Sequence, residues 1–112
     1  MNHAAEFDIL GRVNAAEKIG STTKVTIVSN CRRQGKDGKW IETPHWNTVT
    51  IFAQHIQDYV VASLKKGDEV RARGDIANAK YANAKGETVY TVNLICDDIS
   101  IGARATDNTD RD

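Results

Sequence analysis

Residues 46–52, Trp-Asn-Thr-Val-Thr-Ile-Phe, alternate so strictly that they fit a strand and nothing else of similar length. Successive side chains of a strand point to opposite faces, so Val49 and Ile51 share one face. Trp46, Thr48, Thr50 and Phe52 share the other. The aliphatic pair marks the core side. The outer side then carries two large rings six residues apart, roughly 20 Å along the strand, with threonines between them. A second core would place aliphatics there. The chain must therefore build a sheet with one apolar face and one half-polar face on which rings stand in solvent, an arrangement that calls for a binding partner.

The surrounding sequence supplies the other strands. Phe7–Val13 reads as a first strand. Gly20-Ser21-Thr22-Thr23 is turn chemistry, and Lys24–Asn30 is a β-branched second strand. Arg32–Lys39 holds two glycines, four basic residues and no large apolar side chain, which predicts a loop or hairpin tip. Pro44 is expected to mark entry to the third strand, His45–Phe52. Ala53–Lys66 predicts a helix, with Ile56, Val60 and Leu64 on one face and Tyr59 beside them. Lys65 and Lys66 suit its negative end, and Gly67 its C′ position. Asp68–Tyr81 is a long strand bent near Gly74. Asn83–Glu87 is a hairpin turn, and Thr88–Ile101 returns.

Three strands, one helix and two strands in that order match a five-stranded Greek-key OB-fold barrel with its helix between strands 3 and 4. The 112 residues suffice for one such domain, expected over 1–102. Residues 103–112 are expected to be a short, disordered, acidic tail.

The strand after the helix repeats the two-faced pattern. Val70 and Ala72 face inward, whereas Arg71 and Arg73 point outward, and unbroken alternation brings Tyr81 to the arginine face. The sequence thus suggests guanidinium groups beside Trp46 and Phe52. Net charge is zero, yet Lys18–Lys39 holds six basic residues against Asp37 alone. Aromatics interleaved with basic groups form a platform on which single-stranded nucleic acid stacks, each base contributing about 1–3 kcal/mol. Lys80 and Lys85 on the last hairpin, with Arg32, Arg33, Lys36 and Lys39 on the earlier one, are candidates for the phosphate backbone.

From about Phe7 to Ile101 the sequence resembles the bacterial single-stranded DNA-binding protein family. The resemblance rests on Trp46 with Phe52, on Leu64-Lys65-Lys66-Gly67-Asp68-Glu69-Val70, on Gly74-Asp75-Ile76, on Lys80-Tyr81, and on Thr88–Leu94. It implies base stacking at Trp46, Phe52 and Tyr81, and a homo-oligomer, tetramer or dimer, with single-stranded DNA as partner. The family often has a further aromatic after the second strand. Arg32 stands there, either stacking or contacting phosphate, and Trp40 nearby offers a substitute ring. The turn Ala15–Thr22 looks shortened. The chain ends Thr109-Asp110-Arg111-Asp112, without the aromatic tip that recruits enzymes in typical members, so such recruitment is not expected. A primosomal-type OB-fold module that bridges replication-restart partners is the alternative.

No catalytic constellation emerges, and neither an enzyme nor a cofactor is expected. His3, His45, His55, Cys31 and Cys96 lack chelating spacing, so no metal is expected. Cys96 alternates with Val92 and Leu94 and reads as core. Asp97-Asp98 reads as two carboxylates on opposite faces. No apolar run reaches membrane-spanning length and no secretory signal is evident, so a cytoplasmic protein with free thiols is expected.

Overall fold

The structure, a computed structural model, describes residues 3–103. Five strands and one helix follow in the predicted order: β1 (Glu6–Ile19), β2 (Thr22–Gln34), β3 (Trp40–Ile51), α1 (Gln54–Ser63), β4 (Glu69–Ala82) and β5 (Thr88–Ala103). The strands close into a barrel in the order β1-β2-β3-β5-β4, and β4 returns to pair with β1. All pairings are antiparallel except the closure of β3 on β5, which comprises only Val49 opposite Leu94 and Thr50 opposite Ile95. This is the OB-fold barrel expected from the sequence.

The core follows from alternation. Val25 and Ile27 of β2, Val49 and Ile51 of β3, and Val70 and Ala72 of β4 are all fully buried. Val60 of α1 plugs one end, with Ile56 and Leu64 packed partly against the same cluster. Tyr59 stays outside.

The strands run longer than predicted. Ala15–Ile19 continue β1 past a bulge between Val13 and Ala15, so only Gly20 and Ser21 form the turn into β2. This accounts for the shortened first turn. Arg32 and Arg33 lie within β2, and the tip shrinks to residues 35–39. Pro44 stands inside β3, opposite Asn30. There β3 pairs with β2 alone, so the missing N–H falls on a free edge.

The helix is shorter than predicted. It stops at Ser63, and Leu64 caps it in extended conformation, its N–H bonded to the Val60 carbonyl. Lys65 and Lys66 therefore sit beyond the helix. Asp68 ends it early: its carboxylate accepts from the Lys65 N–H at 2.9 Å, and the Gly67 N–H goes to the Val13 carbonyl at 2.7 Å. Gly67 thus serves the turn into β4. At the C-terminal side β5 extends through Ala103, which pairs with Glu69. The rest of the expected tail, 104–112, lies outside the described residues.

Two pairs of strands outrun the barrel. Residues 30–34 of β2 pair with 40–44 of β3 and with no other strand, and residues 76–82 of β4 pair likewise with 88–94 of β5 apart from the Leu94 closure. These two-stranded arms carry most of the expected site. They also explain why Val92 is 58% exposed although Cys96, at the same alternation, is buried.

Candidate nucleic-acid interface

Trp46 stands in a cross-strand row on the outer surface. Glu69 faces Arg12, Arg12 faces Val28, and Val28 faces Trp46. Directly opposed residues share a face, so Val28 gives the indole an aliphatic flank. One row further, Thr26 and Thr48 are joined through their hydroxyls at 3.1 Å. Trp46 is 58% exposed and Phe52 56%. Thr50 departs from the expected pattern: between Lys24 of β2 and Ile95 of β5, it is nearly buried.

Phe52 follows the last residue of β3, and its backbone is fixed from the helix. Gln57 is almost wholly buried. Its amide nitrogen donates to the Phe52 carbonyl at 3.0 Å and to the Ser21 carbonyl at 2.8 Å. Its carbonyl oxygen accepts from the Thr23 hydroxyl at 2.7 Å and from Lys18 Nζ at 3.2 Å. A buried amide needs such partners. The network ties helix, first turn and Phe52 together. Sequence reasoning passed over Gln57, because a glutamine on a helix ordinarily faces water.

The β2–β3 arm brings Trp40 and Arg32 together. The guanidinium carbon lies 5.2 Å from the indole centroid, a cation–π stack. Lys36 and Lys39 are exposed at the tip. The tip is internally tied: Gly35 N–H to the Lys39 carbonyl at 2.8 Å, Gln34 Nε2 to the Gly38 carbonyl at 2.9 Å, and Lys39 N–H to the Asp37 carboxylate at 3.0 Å. Arg33 takes the opposite face of the ribbon, where it lines a small cleft with Cys31, Thr43 and His45, and Arg32 reaches the edge of that cleft as well.

The β4–β5 arm carries Tyr81, 56% exposed, with Lys80 and Lys85 also exposed. The bend at Gly74 is a bulge whose extra residue, Asp97, lies in β5: Arg73 faces Asp98 and Gly74 faces Cys96. The alternation of β4 is uninterrupted, so Tyr81 keeps the face of Arg71 and Arg73. Asn83 shapes the arm's turn, its side-chain oxygen accepting from Lys85 N–H at 2.9 Å and Glu87 N–H at 3.0 Å. Tyr90, opposite Lys80, is 75% exposed and was missed. Its alternation with Val92, Leu94 and Cys96 reads as core, and only the departure of the arm from the barrel uncovers it.

Arg71 and Arg73 do not join Trp46 and Phe52. Going round the barrel from β4 to β3, β5 intervenes on one side and β1 with β2 on the other. Arg71 instead forms a two-pronged ion pair with Asp8, its Nε donating to Oδ1 at 2.9 Å and its Nη2 to Oδ2. That hydrogen bond holds the Asp8 carboxyl below its ordinary range. Arg73 borders an open cleft of about 450 Å³ with Glu6, Asp8, Asp97 and Asp98. The bulge puts both Asp97 and Asp98 against this cleft, so they do not part to opposite faces as simple alternation predicts. The cleft is thus lined largely by carboxylates, whereas the arms carry exposed cations.

An OB-fold barrel with solvated rings on its outer sheet and basic arms defines a class of binding domain built for extended ligands. The chain belongs to the single-strand binding protein family, which matches residues 9–101. It is 25% identical over 96 residues to the mitochondrial single-stranded DNA-binding protein of Drosophila melanogaster, covering 81% of this chain and 66% of that protein. It is 23% identical over 79 residues to the single-stranded DNA-binding protein of Xanthomonas axonopodis pv. citri, covering 70% and 43%. The matches thus span under two thirds of either relative's length. Among solved structures, an SSB complex with ssDNA from Plasmodium falciparum superposes with a TM-score of 0.76 at 15% identity, over 90% of this chain and 97% of that one. Among the described residues, no helix is long and apolar enough to cross a membrane.

Proposed function

We propose that this protein binds and protects single-stranded DNA with little sequence preference, in replication, repair, recombination or transfer. The observation that carries the reading is the pair of rings, Trp46 on the outer face of β3 and Phe52 just past the strand's end, each more than half exposed on a barrel whose core is already filled. Bases stack on Trp46, Phe52, Tyr81 and Trp40. Arg32, Arg33, Lys36 and Lys39 on one arm, with Lys80 and Lys85 on the other, follow the backbone. Arg71, ion-paired with Asp8, and Arg73, which borders an open cleft with Asp8, Asp97 and Asp98, are given no share of this path in the reading. The role is binding without catalysis. The two free-edged arms favour assembly into a homo-oligomer, a tetramer or a dimer.

The test is a titration of intrinsic tryptophan fluorescence with oligo-dT across a salt series, with duplex DNA as control. Bases on the indoles quench strongly, duplex binds weakly, and log affinity falls with log salt by about 0.7 per phosphate engaged. Unquenched fluorescence at low salt removes the reading. Light scattering on the eluting protein reads the oligomeric state, and a monomer at micromolar concentration contradicts the assembly.

A further inference from the structure

We infer that Arg32 and Trp40 act as one nucleotide-reading unit at the tip of the β2–β3 arm, the indole taking a base and the edge of the guanidinium taking that nucleotide's phosphate. The inference rests on the single-stranded DNA reading and goes beyond it in assigning two chemistries to one coupled pair.

Four observations carry it. First, the two residues share a face by register: Gln34 stands opposite Trp40 and Arg32 opposite Glu42, so the pair is diagonal on one side of the ribbon. Second, the guanidinium has a choice and takes the ring. Glu42 is its direct cross-strand neighbour, yet among the described residues no ion pair joins them, whereas the indole centroid lies 5.2 Å away. Third, a cation–π contact leaves the guanidinium's N–H donors uncommitted, and among the described residues no hydrogen bond or ion pair takes them, so a phosphate oxygen can accept them. Trp40 is 62% exposed, so its ring has surface free for a base. Fourth, the tip carrying the pair is held by its own hydrogen bonds, Gly35 N–H to Lys39 O and Gln34 Nε2 to Gly38 O among them. The pair is thus formed before ligand arrives, and less ordering entropy is lost on binding.

Trp46 is the internal contrast. Its direct neighbour across the ladder is Val28, and the outward residue next along its own strand is Thr48, both uncharged. A base on Trp46 meets no charged side chain among these immediate neighbours. A base on Trp40 meets a ring already bearing a cation. The two rings should therefore respond differently to salt.

The experiment is fluorescence anisotropy of a dye-labelled oligo-dT with the full chain at several salt concentrations. The variants are Arg32→Ala, Arg32→Lys, Trp40→Ala, Trp40→Phe, Arg32→Ala with Trp40→Ala, and Trp46→Ala. All three sites are exposed, and thermal melts establish that each variant folds. Arg32→Ala and Trp40→Ala should each weaken binding about ten-fold, and the double variant should be within about two-fold of the worse single. Arg32→Ala should lower the salt slope by about 0.7. Arg32→Lys should restore the slope without the affinity, since lysine keeps the charge and lacks the planar fork. Trp40→Phe should keep most of the affinity. Trp46→Ala should weaken binding at unchanged slope. Multiplying losses in the double variant, an unchanged slope in Arg32→Ala, or full rescue by lysine would each overturn the unit while leaving the broader reading intact. Undiminished binding by Trp46→Ala together with Trp40→Ala would remove the broader reading itself.

Discussion

The side-chain amide of Gln57 donates to the main-chain carbonyl of Phe52 at 3.0 Å, so a buried helical residue fixes the backbone beneath an exposed ring. The same side chain bonds Ser21, Thr23 and Lys18. Gln57→Leu keeps the volume and removes every one of these bonds. It strands the Phe52 and Ser21 carbonyls and the Thr23 hydroxyl near the barrel's end. Each unsatisfied buried group costs about 1–3 kcal/mol, and relaxation toward solvent recovers part of that. We predict a loss of about 3 kcal/mol in urea unfolding, with oligo-dT affinity reduced in the variant that remains folded. Wild-type stability would mean that the network only decorates the helix.

Trp46 and Phe52 should contribute to binding and little to stability. Both rings are more than half exposed, and neither belongs to the buried cluster. Trp46→Ala and Phe52→Ala should each cost about 1–3 kcal/mol of oligo-dT affinity. Their unfolding midpoints should stay close to wild type, because surface substitutions away from buried networks usually change stability by about 0.5 kcal/mol or less. Anisotropy and urea titrations on the same samples separate the two effects, and undiminished affinity in the double variant would sink the stacking role.

Much of this was legible in the sequence because period-2 alternation over 46–52 and 69–73 leaves little freedom: Val49, Ile51, Val70 and Ala72 had to be core. The order of elements then selected the barrel. What alternation does not encode is where a strand pair leaves the barrel. Arg32 and Arg33 read as loop because polar residues on a free-standing ribbon show no apolar face. Val92 continues the inward alternation of Cys96 past the point where a core exists, and Tyr90 on the same face was not singled out at all. Placing Arg71 beside Trp46 failed for another reason. Sharing an outward face on a closed barrel does not mean sharing a side of it, and Asp8, far away in sequence, pairs opposite Arg73 and captures Arg71.

The Arg71–Asp8 pair gives a pH signature of definite sign. Its hydrogen bond lowers the Asp8 pKa in the folded chain. In acid, between the folded and unfolded values, the unfolded chain binds more protons, so stability rises with pH there. The contribution is fully present above the ordinary carboxylate value and is lost as pH falls through the depressed one. Both side chains are exposed, so the effect is small and screened by salt. Asp8→Asn should therefore be slightly less stable than wild type at neutral pH and indistinguishable from it in strong acid. Chemical denaturation across pH 2–7, at low and high salt, checks both the sign and the screening. A difference that persists in acid would assign the effect to something other than this pair.

The two cysteines should separate cleanly under a thiol reagent. Cys31 is exposed on the β2–β3 arm, whereas Cys96 is buried among the core residues. Burial also raises the Cys96 thiol's pKa, which lowers its thiolate fraction. One thiol per chain should react promptly in the folded protein and the second only on addition of denaturant. Cys31→Ser should abolish the prompt phase. Prompt reaction of both thiols would mean that the barrel opens readily near Gly74 and Cys96.

Gly74 is the position where the fold tolerates a side chain least. A Cβ there would overlap the Ile95 carbonyl oxygen, lie 2.8 Å from its carbonyl carbon and lie 3.0 Å from the Cys96 Cα. All of these are backbone atoms of the paired strand, so no rotamer change relieves the clash. The β4–β5 ladder must instead part at its bulge, close to where β5 also closes the barrel against Thr50. Overpacking of this kind typically costs about 1–3 kcal/mol, and parting a ladder adds to it, so Gly74→Ala should lose about 3 kcal/mol or more. Gly20→Ala is the matched control. Gly20 has φ of 61° and nothing within 4 Å of the added carbon. Only the left-handed backbone penalty of about 1–2 kcal/mol applies there. Urea unfolding of the two variants should rank Gly74→Ala well below Gly20→Ala. The opposite ranking would mean that the strand crossing at Gly74 is looser than its contacts imply, and that the β4–β5 arm hangs from a joint rather than a fixed bend.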